Sequence, residues 1–105
     1  MRKSEIFNKV LDIVAAETEV SQACILSRCR RREVVDARYL LVKALLEAGF
    51  YKNEIARFAR LTNRAVEIMS SKFNDRQEQS GRMFNIMNQR ISSSVSDITH
   101  SLMSC

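Results

Sequence analysis

The side chains best suited to chemistry in this sequence are guanidinium groups, which cluster in the stretch Arg28-Cys29-Arg30-Arg31-Arg32, called the arginine segment below. Together with Arg38, it places five arginines within eleven residues, at the start of a long stretch whose apolar residues recur at helical spacing. A guanidinium group binds phosphate through paired hydrogen bonds and suits the narrow, electronegative minor groove of DNA. The pattern predicts a basic loop that contacts nucleic acid.

A second basic pattern lies in residues 54–66 and has the character of a helix-turn-helix. Thr62 or Asn63 can cap its second helix, and Asn63 and Arg64 have side chains that suit adenine and guanine in the major groove. The predicted DNA contacts are the arginines of both patterns and their polar neighbours, namely Arg28, Arg30, Arg31, Arg32, Arg38, Arg57, Arg60, Thr62, Asn63, Arg64 and Lys72.

These residues also have plainer interpretations. The arginine segment would be only a solvated charged face if Glu33 and Asp36 were its local partners, and Asn63 would be only a helix cap. For Arg64, at the exposed start of a helix, the plain alternative is a solvated charge. We favour DNA contact for the arginine segment and for Arg64, and leave both roles of Asn63 open.

Residue types that support catalysis or metal binding are sparse and scattered. Cys24, Cys29 and Cys105 lack the paired spacing of a zinc site or a disulfide framework, and His100 is the single histidine. The sequence has no glycine-rich phosphate loop, and none of its carboxylate pairs stands out from the residues expected on solvated helix faces. We therefore predict a protein that is not an enzyme and uses no cofactor or metal, with Cys24 as a small core residue.

Length and charge favour a single nucleic-acid-binding domain. A chain of 105 residues builds one modest core, and a net charge of +5 with a pI near 9.5 suits a polyanionic partner. No apolar run approaches the ~20 residues that span a bilayer, and the first residues lack an apolar signal-peptide core. These features predict a cytoplasmic protein that has no membrane partner.

Helical periodicity predicts an all-α, compact bundle, because the chain has no proline, two glycines and few turn signals. The sequence indicates a helix from Ser4 to Thr18 and a short helix that begins after Ser21. A long helix is predicted from Arg31 to Ala48, with Gly49 as its left-handed C-cap. Two further helices are predicted, one that begins at Tyr51 and one from Thr62 or Asn63 through Phe73. The polar residues 74–80 mark the expected end of a DNA-binding domain spanning residues 1–76.

Residues 77–105 are predicted to be a C-terminal amphipathic helix or tail. Their apolar residues are spaced by three or four positions and form a stripe of Phe84, Met87, Ile91, Val95, Ile98 and Leu102. The serines at positions 92, 93, 94 and 96 weaken its helix propensity. The stripe either packs back on its own domain or forms a homodimer contact, and a frayed tail is the remaining alternative.

Residues 6–73 resemble a known family. The resemblance rests on Ile25-Leu26-Ser27-Arg28, on Arg30, Arg32, Val34 and Ala37-Arg38, on the long helix and on Glu54-Ile55. These residues are similar to the C-terminal DNA-binding domain of the bacterial replication initiator DnaA, a member of the Trp-repressor-like helix-turn-helix group. The resemblance implies that Arg30 enters the minor groove and that Arg38 binds a backbone phosphate.

The chain departs from that family in the recognition helix. Where the family has a signature of the type Arg-Asp-His-Thr-Thr-Val, this sequence has Leu61-Thr62-Asn63-Arg64-Ala65-Val66 and shares only the valine. We therefore expect sequence-dependent binding of double-stranded DNA at a different site, by a transcriptional or replication-accessory regulator. The alternative is a helical adaptor that binds a protein partner through the C-terminal stripe. RNA binding is a third option, but the aromatic residues mostly occupy core-like positions.

Overall fold

Helices account for nearly the whole chain in the computed structural model, which describes the backbone of residues 2–103 and the side chains of residues 2–99. Within that range no strand is present, which confirms the predicted all-α class. The seven helices in the described part are α1 (Lys3–Thr18), α2 (Gln22–Ile25), α3 (Arg32–Glu47), α4 (Lys52–Ala59), α5 (Asn63–Ser71), α6 (Phe73–Ser80) and α7 (Arg82–Met103).

Helix α3 is the centre of the bundle. The other six helices all contact it, because its apolar residues point to several sides and include the fully buried Leu40, Leu41 and Leu45. It ends where the sequence predicts, with Gly49 in the left-handed conformation at a φ of +94°. The Gly49 and Phe50 amides donate to the carbonyls of Leu46 and Leu45 at 3.1 and 3.0 Å, so the last turn is closed by a Schellman motif.

Helices α4 and α5 occupy the position of the predicted helix-turn-helix, are joined by a short turn and pack together on α3. The connecting residues 60–62 contain no glycine; instead, Arg60 adopts the left-handed conformation at a φ of +59°. Thr62 is the N-cap of α5, since its Oγ1 accepts a hydrogen bond from the Ala65 amide at 3.0 Å. An ion pair between Lys52 and Glu67 at 2.9 Å joins the exposed sides of the two helices.

A polar contact joins the first helix to the helix-turn-helix. The Lys3 ammonium donates to both carboxylate oxygens of Glu54, at 2.6 and 2.8 Å, and Glu54 also accepts from the Tyr51 amide at 2.9 Å. The hydrogen bond from Lys3 and then that from Tyr51 hold the pKa of Glu54 below its usual value. The contact therefore stabilises the fold above the unfolded-state pKa of glutamate and loses this effect as the pH falls through the lowered pKa.

Residues 74–80 differ from the sequence prediction, which ends the core domain there. They form most of α6, a largely polar helix held by the buried Phe73 at its start and by an ion pair between Arg76 Nε and Asp36 Oδ1 at 2.7 Å. Arg76 and Asp36 are forty residues apart in the sequence. Helical periodicity missed α6 because one apolar anchor and one long-range ion pair leave no repeating pattern.

The C-terminal stripe packs on the chain's own core. Phe84, Ile91 and Val95 are each 1 % exposed, and α7 lies against α1 and α3. Met87 is partly buried against the same core, Ile98 is partly exposed, and the side chain of Leu102 lies outside the described residues. The described part of the stripe therefore packs back on its own domain, which is one of the two predicted alternatives, and the homodimer contact stays a prediction. The core also continues across the predicted boundary between residues 76 and 77.

Candidate nucleic-acid interface

Arg38 differs most from its predicted role. Its side chain is buried, at 7 % exposure, and its guanidinium group donates to four backbone carbonyls. Nε reaches Ile25 O at 2.8 Å, Nη1 reaches Cys29 O at 2.5 Å, and Nη2 bonds both Cys24 O, at 3.2 Å, and Ser27 O. A guanidinium group with its donors engaged inside the protein is not available to phosphate. The predicted phosphate contact by Arg38 is corrected, and its function is to hold the preceding loop.

The loop that Arg38 holds runs from the end of α2 to the start of α3 and carries the arginine segment up to Arg31, while Arg32 is the first residue of α3. Ser27 adds two local hydrogen bonds, because its Oγ donates to Cys24 O at 2.7 Å and accepts from the Cys29 amide at 3.1 Å. The loop backbone is thereby ordered without using the side chains of the arginine segment. Its four exposed arginines are Arg28, Arg30, Arg31 and Arg32.

Glu33 and Asp36, the local partners suggested for the arginine segment, do not form ion pairs with it in the described structure. Asp36 Oδ1 accepts from Arg76 Nε at 2.7 Å and from Ser80 Oγ at 3.2 Å, and Glu33 is exposed at the first turn of α3. Across residues 2–99, none of the four arginines of the segment forms an ion pair. Uncompensated positive charge on an ordered loop attracts polyanions more strongly than a mixed charged face does.

Replacing Arg38 with methionine is expected to lower the free energy of unfolding by about 2–4 kcal/mol, because the four carbonyls would lose a buried charged donor. Chemical denaturation measures the loss, and the exposed Arg64→Met is the matched control, with an expected change of no more than about 0.5 kcal/mol. Equal stability of Arg38→Met and the wild type would contradict the anchoring function.

The predicted contacts of the helix-turn-helix all lie at the surface. Arg57, Arg60, Thr62, Asn63, Arg64 and Lys72 are exposed. Because Thr62 is the cap of α5, Asn63 is the first helical residue, and its side chain is not needed for capping. The first turn of α5 therefore presents Asn63 and Arg64 beside unpaired amide groups, whose partial positive charge favours a nearby anion.

Helix α6 lies between the arginine segment and the end of α5. Arg30 and Arg32 line a groove of about 450 Å³ together with Val35, Arg76, Gln79 and Ser80. Arg76 and Gln79 also line an adjoining groove of about 200 Å³, whose other residues are Tyr39, Lys72 and Asp75. Lys72 therefore lines a groove that adjoins the one lined by the arginine segment, and α6 contributes Arg76 and Gln79 to both. Sequence reasoning missed Arg76 and Gln79 because it placed them in the polar stretch at the end of the domain.

Other kinds of site receive no support from the described residues. No group of three or more histidine, cysteine or carboxylate side chains within them is placed to hold a metal ion. Cys24 was predicted to be a core residue, but its side chain is exposed, while its backbone carbonyl accepts hydrogen bonds from Arg38 Nη2 and Ser27 Oγ. None of the helices in the part of the chain that the structure describes is long and apolar enough to cross a membrane.

We compared the chain with known proteins. No known protein family, curated protein or solved structure matches the chain. The similarity to the DnaA C-terminal domain stays a prediction from the residues that carry it.

Proposed function

We propose that this protein binds double-stranded DNA in a sequence-dependent manner, as a small helix-turn-helix regulator of transcription or an accessory protein of replication. The observation that carries the proposal is the arginine segment, whose four exposed arginines form no ion pairs in the described structure. Three of them lie on a loop whose backbone is fixed by the buried Arg38, and the fourth, Arg32, begins α3. An ordered loop binds with a smaller loss of conformational entropy than a mobile one.

In the proposed complex, the arginine segment contacts the backbone and the minor groove, and α5 enters the major groove by its first turn. Arg30 is the minor-groove residue, as the resemblance to the DnaA domain implies. Asn63 and Arg64 supply direct readout, with adenine and guanine as their preferred bases, and Arg57 and Arg60 supply phosphate contacts. Both residues of the first turn are exposed and free of the capping role, as this arrangement requires.

The side of α5 that carries Arg64 has one further feature relevant to base reading. Ile68 lies one helical turn beyond Arg64 and is 38 % exposed, which is unusual for a large apolar side chain in this protein. An apolar side chain on a recognition helix contacts the methyl group of thymine. Together, Asn63, Arg64 and Ile68 support a preference among base pairs over purely nonspecific binding.

The alternative function, a protein adaptor, was predicted to use the C-terminal stripe. Phe84, Ile91 and Val95 of that stripe are buried against α1 and α3, so a partner helix would have to displace part of the core to reach them. The same three side chains therefore favour the DNA-binding proposal over this form of the adaptor proposal.

Backbone amide NMR of the ¹⁵N-labelled protein, titrated with a short duplex, tests the proposed function. We expect the largest chemical-shift changes in residues 27–32 and in the first turn of α5, and small changes through the body of α1. Shifts that are absent at low salt, or that concentrate in α1 and α7 and leave the arginine segment unchanged, would contradict the proposal.

A further inference from the structure

We propose that the groove between the start of α3 and the end of α6, called the α3–α6 groove below, binds one backbone phosphate of the DNA duplex. This inference rests on the proposed function and extends the interface to a helix that the sequence places outside it. The groove is lined by Arg30, Arg32, Val35, Arg76, Gln79 and Ser80.

The charge of the α3–α6 groove favours an anion. Three guanidinium groups line it, from Arg30, Arg32 and Arg76, and among the described residues the one carboxylate that pairs with any of them is Asp36, which bonds Arg76. Arg30 and Arg32 belong to the arginine segment and form no ion pair in the described part of the chain. The groove therefore carries excess positive charge, which favours a bound anion.

One side of the groove is rigid. Arg76 is held by Asp36 at 2.7 Å and lies over the Tyr39 ring at 5.3 Å, and Ser80 donates to the same Asp36 carboxylate at 3.2 Å. The opposite side is more adaptable, because within residues 2–99 the Arg32 side chain makes a single long hydrogen bond, 3.4 Å, from Nη2 to the Gln79 carbonyl. An exposed guanidinium group with one weak bond is free to rotate and pair with a phosphate.

The adjoining groove is less suited to a phosphate. It shares Arg76 and Gln79 with the α3–α6 groove but also contains the exposed carboxylate of Asp75 beside Lys72. A carboxylate repels a phosphate at short range and offsets the charge of the lysine. The phosphate is therefore assigned to the α3–α6 groove, on the side where α6 meets the arginine segment.

Charge substitutions at Gln79, which lines this groove and also the adjoining one, test phosphate binding where α6 meets the arginine segment. Gln79 is exposed and makes no side-chain hydrogen bond within the described structure. Gln79→Lys should raise the affinity for a duplex about threefold and steepen the slope of log affinity against log salt by up to about 0.9, the effect of one more phosphate contact. Gln79→Glu should lower the affinity about fivefold in the same buffer, through repulsion of the phosphate.

Asn74 provides the matched control. It is an exposed amide on the same helix, but it lines a different groove with Lys43 and Met69. Asn74→Lys and Asn74→Glu change the protein's net charge as the Gln79 variants do, and we expect each to alter the affinity less than the matching Gln79 variant, since Asn74 does not line the α3–α6 groove and salt screens its more distant charge. Thermal unfolding of all four variants verifies that each one is folded.

The inference fails if the Gln79 variants change duplex affinity no more than the Asn74 variants do, while the wild type binds DNA. Absence of wild-type binding is a different result, because it removes the proposed function itself and with it this extension. A third arm titrates the free protein with inorganic phosphate. Saturable binding that is lost in Gln79→Glu would indicate a small phosphate ligand and would overturn the assignment to the DNA backbone.

Discussion

Replacing Arg30 with glutamate is expected to weaken duplex binding by at least about thirtyfold, or roughly 2 kcal/mol, at low salt. Arg30 is exposed on the loop that Arg38 anchors, and it also lines the α3–α6 groove. The substitution removes a guanidinium group from the centre of the proposed interface and sets a carboxylate against the phosphates. Fluorescence anisotropy with a labelled random-sequence duplex measures the loss.

The control for this substitution is Arg90→Glu, which changes the net charge by the same amount. Arg90 lies on α7, its side chain is 67 % exposed, and its long contact with Glu17 at 3.7 Å contributes little to stability. We expect its effect on affinity to be less than about threefold, because it acts only through the screened field of the whole protein. Equal losses in the two variants would show that binding follows net charge, and would remove the specific function of the arginine segment.

Replacing Phe84 with alanine is expected to lower the free energy of unfolding by about 3–5 kcal/mol, the usual cost of deleting a buried aromatic ring. Phe84 is 1 % exposed, and its ring centroid lies 5.5 Å from that of Phe73, so it joins α7 to the start of α6. The adjacent Met83 is 67 % exposed, and Met83→Ala should change stability by no more than about 0.5 kcal/mol. Urea denaturation followed by circular dichroism measures both variants.

The Phe84 experiment also separates packing within the chain from packing between chains. If α7 covers its own core, the midpoint of wild-type unfolding is independent of protein concentration. A midpoint that rises with concentration, or a loss in Phe84→Ala as small as that in Met83→Ala, would show that the stripe is covered in another way or is not part of the cooperative unit.

Local signals in the sequence were sufficient for several elements of the fold. The end of α3 follows from Gly49, whose left-handed conformation is easiest for glycine, and the start of α5 follows from Thr62, whose hydroxyl caps it. Each of these features depends on residues within one or two helical turns. The helical spacing of apolar residues likewise predicted the all-α class.

Features that depend on distant residues were not predictable in this way. Arg38 and Arg30 have the same side chain in the same basic stretch, yet one is buried beneath backbone carbonyls and the other is exposed. The partner of Arg76 is forty residues away, and α6 is recognisable as part of the domain only once that pair is seen. Whether the C-terminal stripe packs within the chain also depends on the faces that α1 and α3 leave open.

The most direct test of DNA binding by the arginine segment is the affinity of the wild-type protein for a random-sequence duplex, measured by fluorescence anisotropy over a series of salt concentrations. If the exposed arginines and their neighbours make about four to six phosphate contacts, log affinity falls with log salt with a slope of roughly −4 to −5. A flat salt dependence, or no binding at low salt, would contradict the account.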